Sequence, residues 1–334
     1  MSGRRVAVLG ATGLVGREML YTLEQRNFPV SELIPLASPR SAGKKVVFNG
    51  EEITVQAVGE DSFKGVDIAL FSAGGKTSKQ WAPVAAASGA VVIDNSSAWR
   101  MDPEVPLIVP EINAADVSMA KNKGIIANPN CSTIQAVVVL YPLHQAAGLK
   151  YINISTYQSV AGTGKAAIES LRDGAKAAIK GEEYKDDVYP HSIAFNLLPH
   201  IGAFDDEGIS EEEWKMVNES RKIMHIPDLR VSGITVRVPI FRCHGESVTA
   251  QFERPLSPAE AREILSRAPG VVVRDDPKNA EYPLPVDTAG KDDVCVGRIR
   301  RDTGLDNALA MWVVGDNLRK GAALNAVQIA EKLA

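Results

Sequence analysis

The residue types best suited to chemistry lie together in Asn128-Pro129-Asn130-Cys131-Ser132-Thr133. A lightly charged stretch, Gly124-Ile125-Ile126-Ala127, precedes them and a long apolar run over 133–141 follows, so Cys131 falls where a strand or loop becomes a helix. At a helix N-terminus the unpaired backbone N–H groups and the positive end of the dipole favour thiolate over thiol. A free cysteine is otherwise often a small buried hydrophobe; the polar neighbours Asn128, Asn130, Ser132 and Thr133 favour the reactive reading. Further along, 232–241 reads as an amphipathic strand. Ile234, Val236, Val238 and Ile240 point one way, Thr235 and Arg237 are displayed on the other face, and His244 follows at the strand end. A thiolate, a histidine and a displayed arginine suit thiol-mediated oxidation of an aldehyde. The sulfur adds to the carbonyl, hydride leaves to an acceptor, and a thioester remains to be captured.

The hydride acceptor has a place at the start of the chain. Val6-Ala7-Val8-Leu9 is a short apolar strand running into Gly10-Ala11-Thr12-Gly13-Leu14-Val15-Gly16, after which Val15, Met19 and Leu23 recur at helical spacing. Strand, glycine turn and helix together let backbone N–H groups approach a pyrophosphate, although the spacing G-x-x-G-x-x-G differs from the commoner dinucleotide fingerprint. A second strand over 31–38 ends without the acid that would hold a ribose 2′-hydroxyl. Ser38-Pro39-Arg40-Ser41 stands there instead, followed by Lys44 and Lys45, a cluster that suits a 2′-phosphate or else an ordinary solvated loop; NADP is favoured over NAD. Further strands over 66–72 and 90–96, with a helix opening at Gly74 and running through Trp81 to Ala87, predict a parallel, doubly wound sheet. Ser72, Gly74, Asn95 and Ser96 fall at the carboxyl ends of its strands, where ligands bind. Arg100 follows them, and taken alone reads as a surface arginine.

In the second half, Pro142 is expected to end or kink the helix that Cys131 begins. Residues 151–158 alternate with period two, predicting a strand with one covered face that ends at Gln158. The loop Ser159-Val160-Ala161-Gly162-Thr163-Gly164 then leads into an alanine-rich helix, and the polar tract 181–191 reads as a surface excursion. Ser210 and Glu213 form a capping box for a helix whose expected apolar stripe is Trp214, Val217 and Met224. Its other side, with Glu212, Lys215, Glu219 and Lys222, has the spacing of a solvated salt-bridged face. Ser257 caps a further helix; 293–299 and 308–314 read as strands, and Gly315-Asp316-Asn317 turns into a last helix bearing Leu324 and Val327.

A chain of 334 residues predicts two domains. With 45% hydrophobic and 23% charged residues it has the composition of a globular protein with substantial cores. No apolar run reaches the roughly 18 residues of a membrane span, and the N-terminus lacks a signal peptide's cleavage site; a cytoplasmic protein without a membrane partner is expected. Cys131, Cys243 and Cys295 are too few and scattered for a disulfide framework or a zinc motif, so no metal is expected. A net charge of −4 gives no basic footprint for nucleic acid.

Taken in order, the glycine turn 10–16, Asn128-Pro129-Asn130-Cys131-Ser132-Thr133, Tyr157-Gln158-Ser159-Val160, Glu212-Glu213-Trp214-Lys215 and Arg237-Val238-Pro239 with His244 resemble the aspartate-semialdehyde dehydrogenase family along nearly the whole chain. The resemblance implies an α/β protein. Its doubly wound Rossmann-type domain spans 1–130 and is completed by the C-terminal helix from about 315 to 334; the second, over 131–314, is an α+β catalytic and dimerisation domain of the glyceraldehyde-3-phosphate dehydrogenase-like type. It also implies NADP-dependent, phosphate-requiring interconversion of L-aspartate 4-semialdehyde and L-aspartyl 4-phosphate, by a homodimer or a dimer of dimers, in lysine, methionine and threonine biosynthesis. On this resemblance Cys131 is the nucleophile, His244 the acid/base, Gln158 the residue that orients the acyl group and Asn130 an aid to the oxyanion. Arg237 clamps the substrate α-carboxylate and Glu212 meets its amino group, with Glu211 and Glu213 as neighbouring alternatives. Arg100 and Lys215 bind phosphate. Gly162 and Asn317 join the glycine turn at the cofactor. Ala161 and Thr163 depart from the family's usual serine and alanine, which implies altered packing. An N-acetylglutamyl-phosphate reductase shares the thioester chemistry but not a free α-amino group, and a nucleotide-binding regulator that has lost catalysis is the rival outside enzymes.

Overall fold

The structure, a computed structural model, describes residues 3–333. It has two compact units, one running to Asn130 and resumed from Gly321, the other Cys131–Lys320. The first stretch gives β1 (Arg4–Leu9), α1 (Leu14–Gln25), β2 (Val30–Ala37), β3 (Lys45–Phe48), β4 (Glu51–Thr54), β5 (Gln56–Ala57), β6 (Ile68–Phe71), α2 (Gly75–Ala87), β7 (Val91–Asp94), α3 (Pro110–Asn113) and β8 (Ile125–Ala127). The second unit contains α4 (Cys131–Ala147), β9 (Leu149–Gln158), α5 (Lys165–Lys180), α6 (Glu211–Met224), β10 (Arg230–Arg237) and β11 (His244–Phe252). It continues with α7 (Pro258–Ser266), β12 (Val271–Val273), α8 (Pro285–Thr288), β13 (Val294–Arg301) and β14 (Ala308–Gly315), and α9 (Leu324–Glu331) returns to the first unit.

The first unit is a parallel sheet in the order β5-β2-β1-β6-β7-β8, with β3 and β4 as a separate antiparallel hairpin. Its strands are short apolar runs because both faces are covered; all of β6, Ile68-Ala69-Leu70-Phe71, is buried. The chain leaves β1 toward β2 on one side and later resumes at β6 on the other, so the order reverses between β1 and β6. In an open α/β sheet the crevice at such a reversal is where a dinucleotide binds. Met19, Leu20 and Leu23 of α1 share one core with Val6 and Val8 of β1 and with Ala326, Val327 and Ile329 of α9. Each such leucine contributes roughly 1.5–3 kcal/mol by leaving water. Arg26 donates twice to Glu331, at 2.6 and 2.8 Å, and so ties the end of α1 to α9.

The second unit is a mixed sheet in the order β10-β9-β11-β14-β13-β12. β10 and β9 run parallel, β9, β11, β14 and β13 are antiparallel, and β12 is parallel to β13. α4 continues through Pro142 to Ala147, so the proline does not end the helix. Leu140 and Leu143, on either side of it, are fully buried, and that packing outweighs the one ladder bond that a proline must omit.

Two faces differ from the sequence expectation. In β10 the covered side carries Thr235 and Arg237, the latter only 6% exposed, while Ile234 is 57% exposed. The reason is hydrogen bonding. Glu213 at the start of α6 accepts from the Thr235 backbone N–H at 2.9 Å, and the Ser210 hydroxyl meets that of Thr235 at 3.3 Å, so α6 lies over the polar face. Correspondingly, α6 buries Glu212, Met216, Glu219, Ser220, Ile223 and Met224, while Trp214 is 40% exposed. The capping box at Ser210 and Glu213 forms as expected. Among the described residues no helix is long and apolar enough to cross a membrane.

Candidate active site

Cys131 is the first residue of α4, and its Sγ lies 3.2 Å from His244 Nε2 at the start of β11. The backbone N–H of Ser159 donates to His244 Nδ1 at 3.0 Å. A ring nitrogen that accepts carries no proton, so this contact assigns the neutral imidazole its proton at Nε2, directed at the sulfur. Burial, and then the nearby Arg237 guanidinium, push the imidazole pKa down to about 3. His244 is therefore neutral at physiological pH and donates to a sulfur that the end of α4 already favours as thiolate.

The turn before His244 is held tightly. Cys243 adopts a left-handed backbone with φ of 72°, unusual for a residue with a side chain. Its N–H donates to Asn317 Oδ1 at 2.9 Å, and the same oxygen accepts from the Ser159 hydroxyl at 3.2 Å. Ser159 Oγ is also 3.2 Å from His244 Nδ1, an acceptor for that nitrogen whenever the ring takes a second proton. Asn317, expected beside the cofactor, thus commits its side-chain oxygen to the support of His244. Ser159 was not singled out from sequence, and only its position next to Gln158 could have drawn attention to it.

Strand register assembles the rest. Gln158 ends β9 and pairs with Arg237 at the end of β10 on one side and with His244 at the start of β11 on the other. The Gln158 amide is held at both ends: Oε1 accepts from the Thr156 hydroxyl and Nε2 donates to Glu212 Oε1, both at 3.0 Å. Glu212, buried, accepts from Lys215 Nζ at 3.0 Å through its other oxygen. Among the three consecutive glutamates only Glu212 reaches this cluster, since Glu213 serves the helix cap and Glu211 is exposed. Arg237 donates to the Ser159 carbonyl oxygen at 2.8 Å, and its buried Nε has no partner, a donor aimed at nothing in the protein. Gly162 lies against this group. A Cβ there would stand 3.1 Å from Arg237 Nη1 and 3.6 Å from the His244 ring, so a side chain would press on both.

In the first unit the glycine turn shapes a cavity of about 520 Å³ whose lining includes Gly10, Thr12, Gly13, Ser38, Ser41 and Ser72. Gly10 has φ of 93°, and a Cβ on it would lie 2.2 Å from the Ser72 carbonyl oxygen; only glycine fits where β1 and β6 diverge. Leu14 and Val15 begin α1 and lie outside the lining, as does Gly16, which is buried where that helix packs on the turn. Gly74, Asn95, Ser96 and the exposed Arg40 lie outside the lining. A phosphate-accepting glycine turn at a helix N-terminus, hydroxyls at the end of β2 and a cavity of this size fit a nicotinamide dinucleotide.

Arg100 is buried, unlike the surface residue its surroundings in the sequence suggested, and donates to the backbone oxygens of Asn128 and Asn95 at 3.0 and 2.9 Å. Asn128 accepts from Asn325 Nδ2 at 2.7 Å and donates to Asn95 Oδ1 at 2.6 Å, fixing the loop that leads to the buried Asn130. Ser96 donates to Asp94 at 2.5 Å, and burial pushes that carboxyl's pKa upward. Among the described residues no cluster could hold a metal ion.

Two family models match the chain: the semialdehyde dehydrogenase NAD-binding domain over residues 5–120 and the semialdehyde dehydrogenase dimerisation domain over residues 140–320. An aspartate-semialdehyde dehydrogenase from Aquifex aeolicus (strain VF5) is 58% identical over 333 residues, covering 99% of this chain and 98% of that one. A crystal structure of aspartate semialdehyde dehydrogenase II from Vibrio cholerae complexed with ASA is 46% identical, with a TM-score of 0.97, covering 100% of this chain and 98% of that one. An aspartate semialdehyde dehydrogenase with NADP from Candida albicans is 26% identical with a TM-score of 0.76, covering 99% and 98%. A nucleotide-binding unit and a cysteine–histidine unit, both matched in sequence and in fold over their whole length, place this chain in the aspartate-semialdehyde dehydrogenase family.

Proposed function

We propose that the chain catalyses the reversible, NADP-dependent reductive dephosphorylation of L-aspartyl 4-phosphate to L-aspartate 4-semialdehyde through a thioester on Cys131. The observation that carries this reading is the 3.2 Å approach of Cys131 Sγ to His244 Nε2 at the start of α4. The thiolate attacks the acyl carbon, the C–O bond to phosphate breaks, and inorganic phosphate leaves with a proton from solvent. Bound NADPH supplies the hydride. Cys131 then departs as thiolate, and the aldehyde is released.

The Nε2–H of His244 donates to whichever of sulfur or adduct oxygen carries the negative charge, and Asn130 assists at that oxygen. Gln158, pinned by Thr156 and Glu212, orients the acyl group. Arg237, with a buried donor left over, takes the α-carboxylate in a fork that lysine cannot reproduce. Glu212 meets the amino group, and Arg100 and Lys215 bind phosphate. The hydroxyls of Ser38 and Ser41, with Arg40, receive the 2′-phosphate that distinguishes NADP from NAD.

The working form is a homodimer, or two such dimers. A trough of about 430 Å³ along α6 and β10, lined by Ile209, Trp214, Met216, Val217 and Val231 among others, and the exposed Ile234 supply apolar surface for a second copy. Its three free thiols suit a cytoplasmic setting.

The test is substrate dependence. The purified protein is expected to reduce NADP only when L-aspartate semialdehyde and phosphate, or arsenate in its place, are both present. Turnover with the N-acetylated glutamate analogue and none with aspartate semialdehyde would assign the rival reductase. Cofactor binding without turnover on either would assign the regulator.

A further inference from the structure

We propose that Glu246 is held as a neutral carboxylic acid and, with Gln135, forms a buried clamp that fixes the nucleophile helix to the strand of His244; this rests on the Cys131–His244 reading above. Gln135 lies one turn after Cys131 on α4, and Glu246 lies two residues after His244 on β11, so each shares a face with its reactive neighbour. Gln135 Nε2 donates to the backbone oxygen of His244 at 3.3 Å, joining helix and strand at that histidine's own peptide.

The remaining atoms leave a buried carboxyl with no charged partner. Gln135 Oε1 and both carboxyl oxygens of Glu246 are buried with no partner in good hydrogen-bond geometry, and the Gln135 side chain is near enough to that carboxyl to favour its charged form in part. The amide nitrogen carries two hydrogens, so one serves the His244 oxygen and the other can favour the ionised carboxyl, but burial outweighs that single contact. A protonated Glu246 removes the uncompensated charge and supplies a donor that Gln135 Oε1 can accept, while Nε2 stays on His244.

The surroundings agree. Burial raises the Glu246 pKa well above the usual carboxylate range. Thr156 and Val313, its partners in the neighbouring strands, bring no charge, and the Thr156 hydroxyl is already given to Gln158. Space for the amide comes from Gly315, the ladder partner of His244, where a Cβ would lie 2.8 Å from Gln135 Oε1. Glu246 touches neither substrate nor cofactor in this scheme; it is a positioning residue acting through Gln135.

The experiment pairs infrared spectroscopy of the full-length protein with the rate of Cys131 alkylation by iodoacetamide. A protonated-carboxyl band present at neutral pH is expected to vanish in Glu246→Gln. That variant, whose amide N–H can replace the O–H, should alkylate within about twofold of the wild type, whereas Gln135→Met and Glu246→Leu should slow alkylation about tenfold as the thiolate loses its aligned donor. Absence of a Glu246-dependent band, a Glu246→Gln protein as slow as Glu246→Leu, or wild-type reactivity in Gln135→Met would overturn the clamp. The band in Glu246→Gln decides the matter even where Glu246→Leu fails to fold. A wild-type Cys131 no more reactive than a free thiol would instead overturn the thiolate reading, and the positioning role with it.

Discussion

His244 and Gln158 are register partners in the β9–β11 ladder, and Arg237 pairs with Gln158 from the other side. Three residues drawn from across nearly ninety positions of chain therefore stand in one row across three adjacent strands, held by main-chain bonds. α4 brings Cys131 to one end of that row, and α6 brings Glu212 to its middle. Each side chain is placed by a rigid element, which is what sub-ångström positioning of reacting groups requires.

The first consequence concerns the sulfur. Cys131→Ser replaces a thiol with a far weaker nucleophile, a hydroxyl, at nearly constant volume. Turnover is expected to fall by at least about 10³-fold, while NADP affinity, measured by fluorescence titration, stays within about twofold because the thiol takes no part in holding the cofactor. A serine variant with near wild-type rates would rule out the thioester.

Arg237→Lys tests the carboxylate clamp. Lysine keeps the charge but loses the planar fork, and its ammonium must leave water to enter a buried site. We expect kcat/KM for aspartate semialdehyde to fall about 100-fold, close to the 2–3 kcal/mol of a charge-assisted hydrogen bond. The protein's melting temperature should change little by comparison. Equal activity in the lysine variant would place the α-carboxylate elsewhere.

Much of this could be read from the sequence, for identifiable reasons. Short apolar strands, glycine turns and capping boxes are local signals, and the units follow them. Cys131 was marked by its place at a helix start, a property of neighbouring residues alone. Arg237 was found, but its face was reversed, because the polar side of β10 is covered by α6 through Glu213 and Ser210, a tertiary fact that alternation does not encode. Glu212 was legible from family likeness and not from spacing, since a buried glutamate on a helix has the same periodicity as a solvated one. Ser159, Gln135 and Glu246 were silent: their importance lies in hydrogen bonds to His244, or in the want of them, which only register and packing create.

The buried imidazole predicts a pH dependence of stability. The His244 pKa lies at about 3 in the folded chain, against roughly 6.5 in the unfolded one. Between these values the unfolded state binds a proton that the folded state does not. Stability therefore rises with pH over that window and is progressively lost as pH falls below about 6.5, by about 1.4 kcal/mol per pH unit for this one group. His244→Gln cannot titrate. Urea denaturation at pH 6.5 and at pH 5 should show a smaller difference for the variant than for the wild type, and identical differences would mean that the imidazole is charged when folded.

Cofactor choice is tested at the end of β2. Ser38 lines the cavity beside the glycine turn, at the position where NAD enzymes carry an acid for the ribose 2′-hydroxyl. An aspartate there would accept from that hydroxyl and repel a 2′-phosphate. Ser38→Asp is expected to weaken NADP by about 100-fold and to improve NAD several-fold, because a close like-charge contact costs a few kcal/mol while the new hydrogen bond adds about one. The change should appear in KM for the cofactor and leave kcat with saturating dinucleotide nearly constant, since the substitution lies in the first unit and not among the residues around Cys131. If NADP affinity is unaffected by the aspartate, the 2′-phosphate does not lie against Ser38, and the proposed role of the residues at the end of β2 fails.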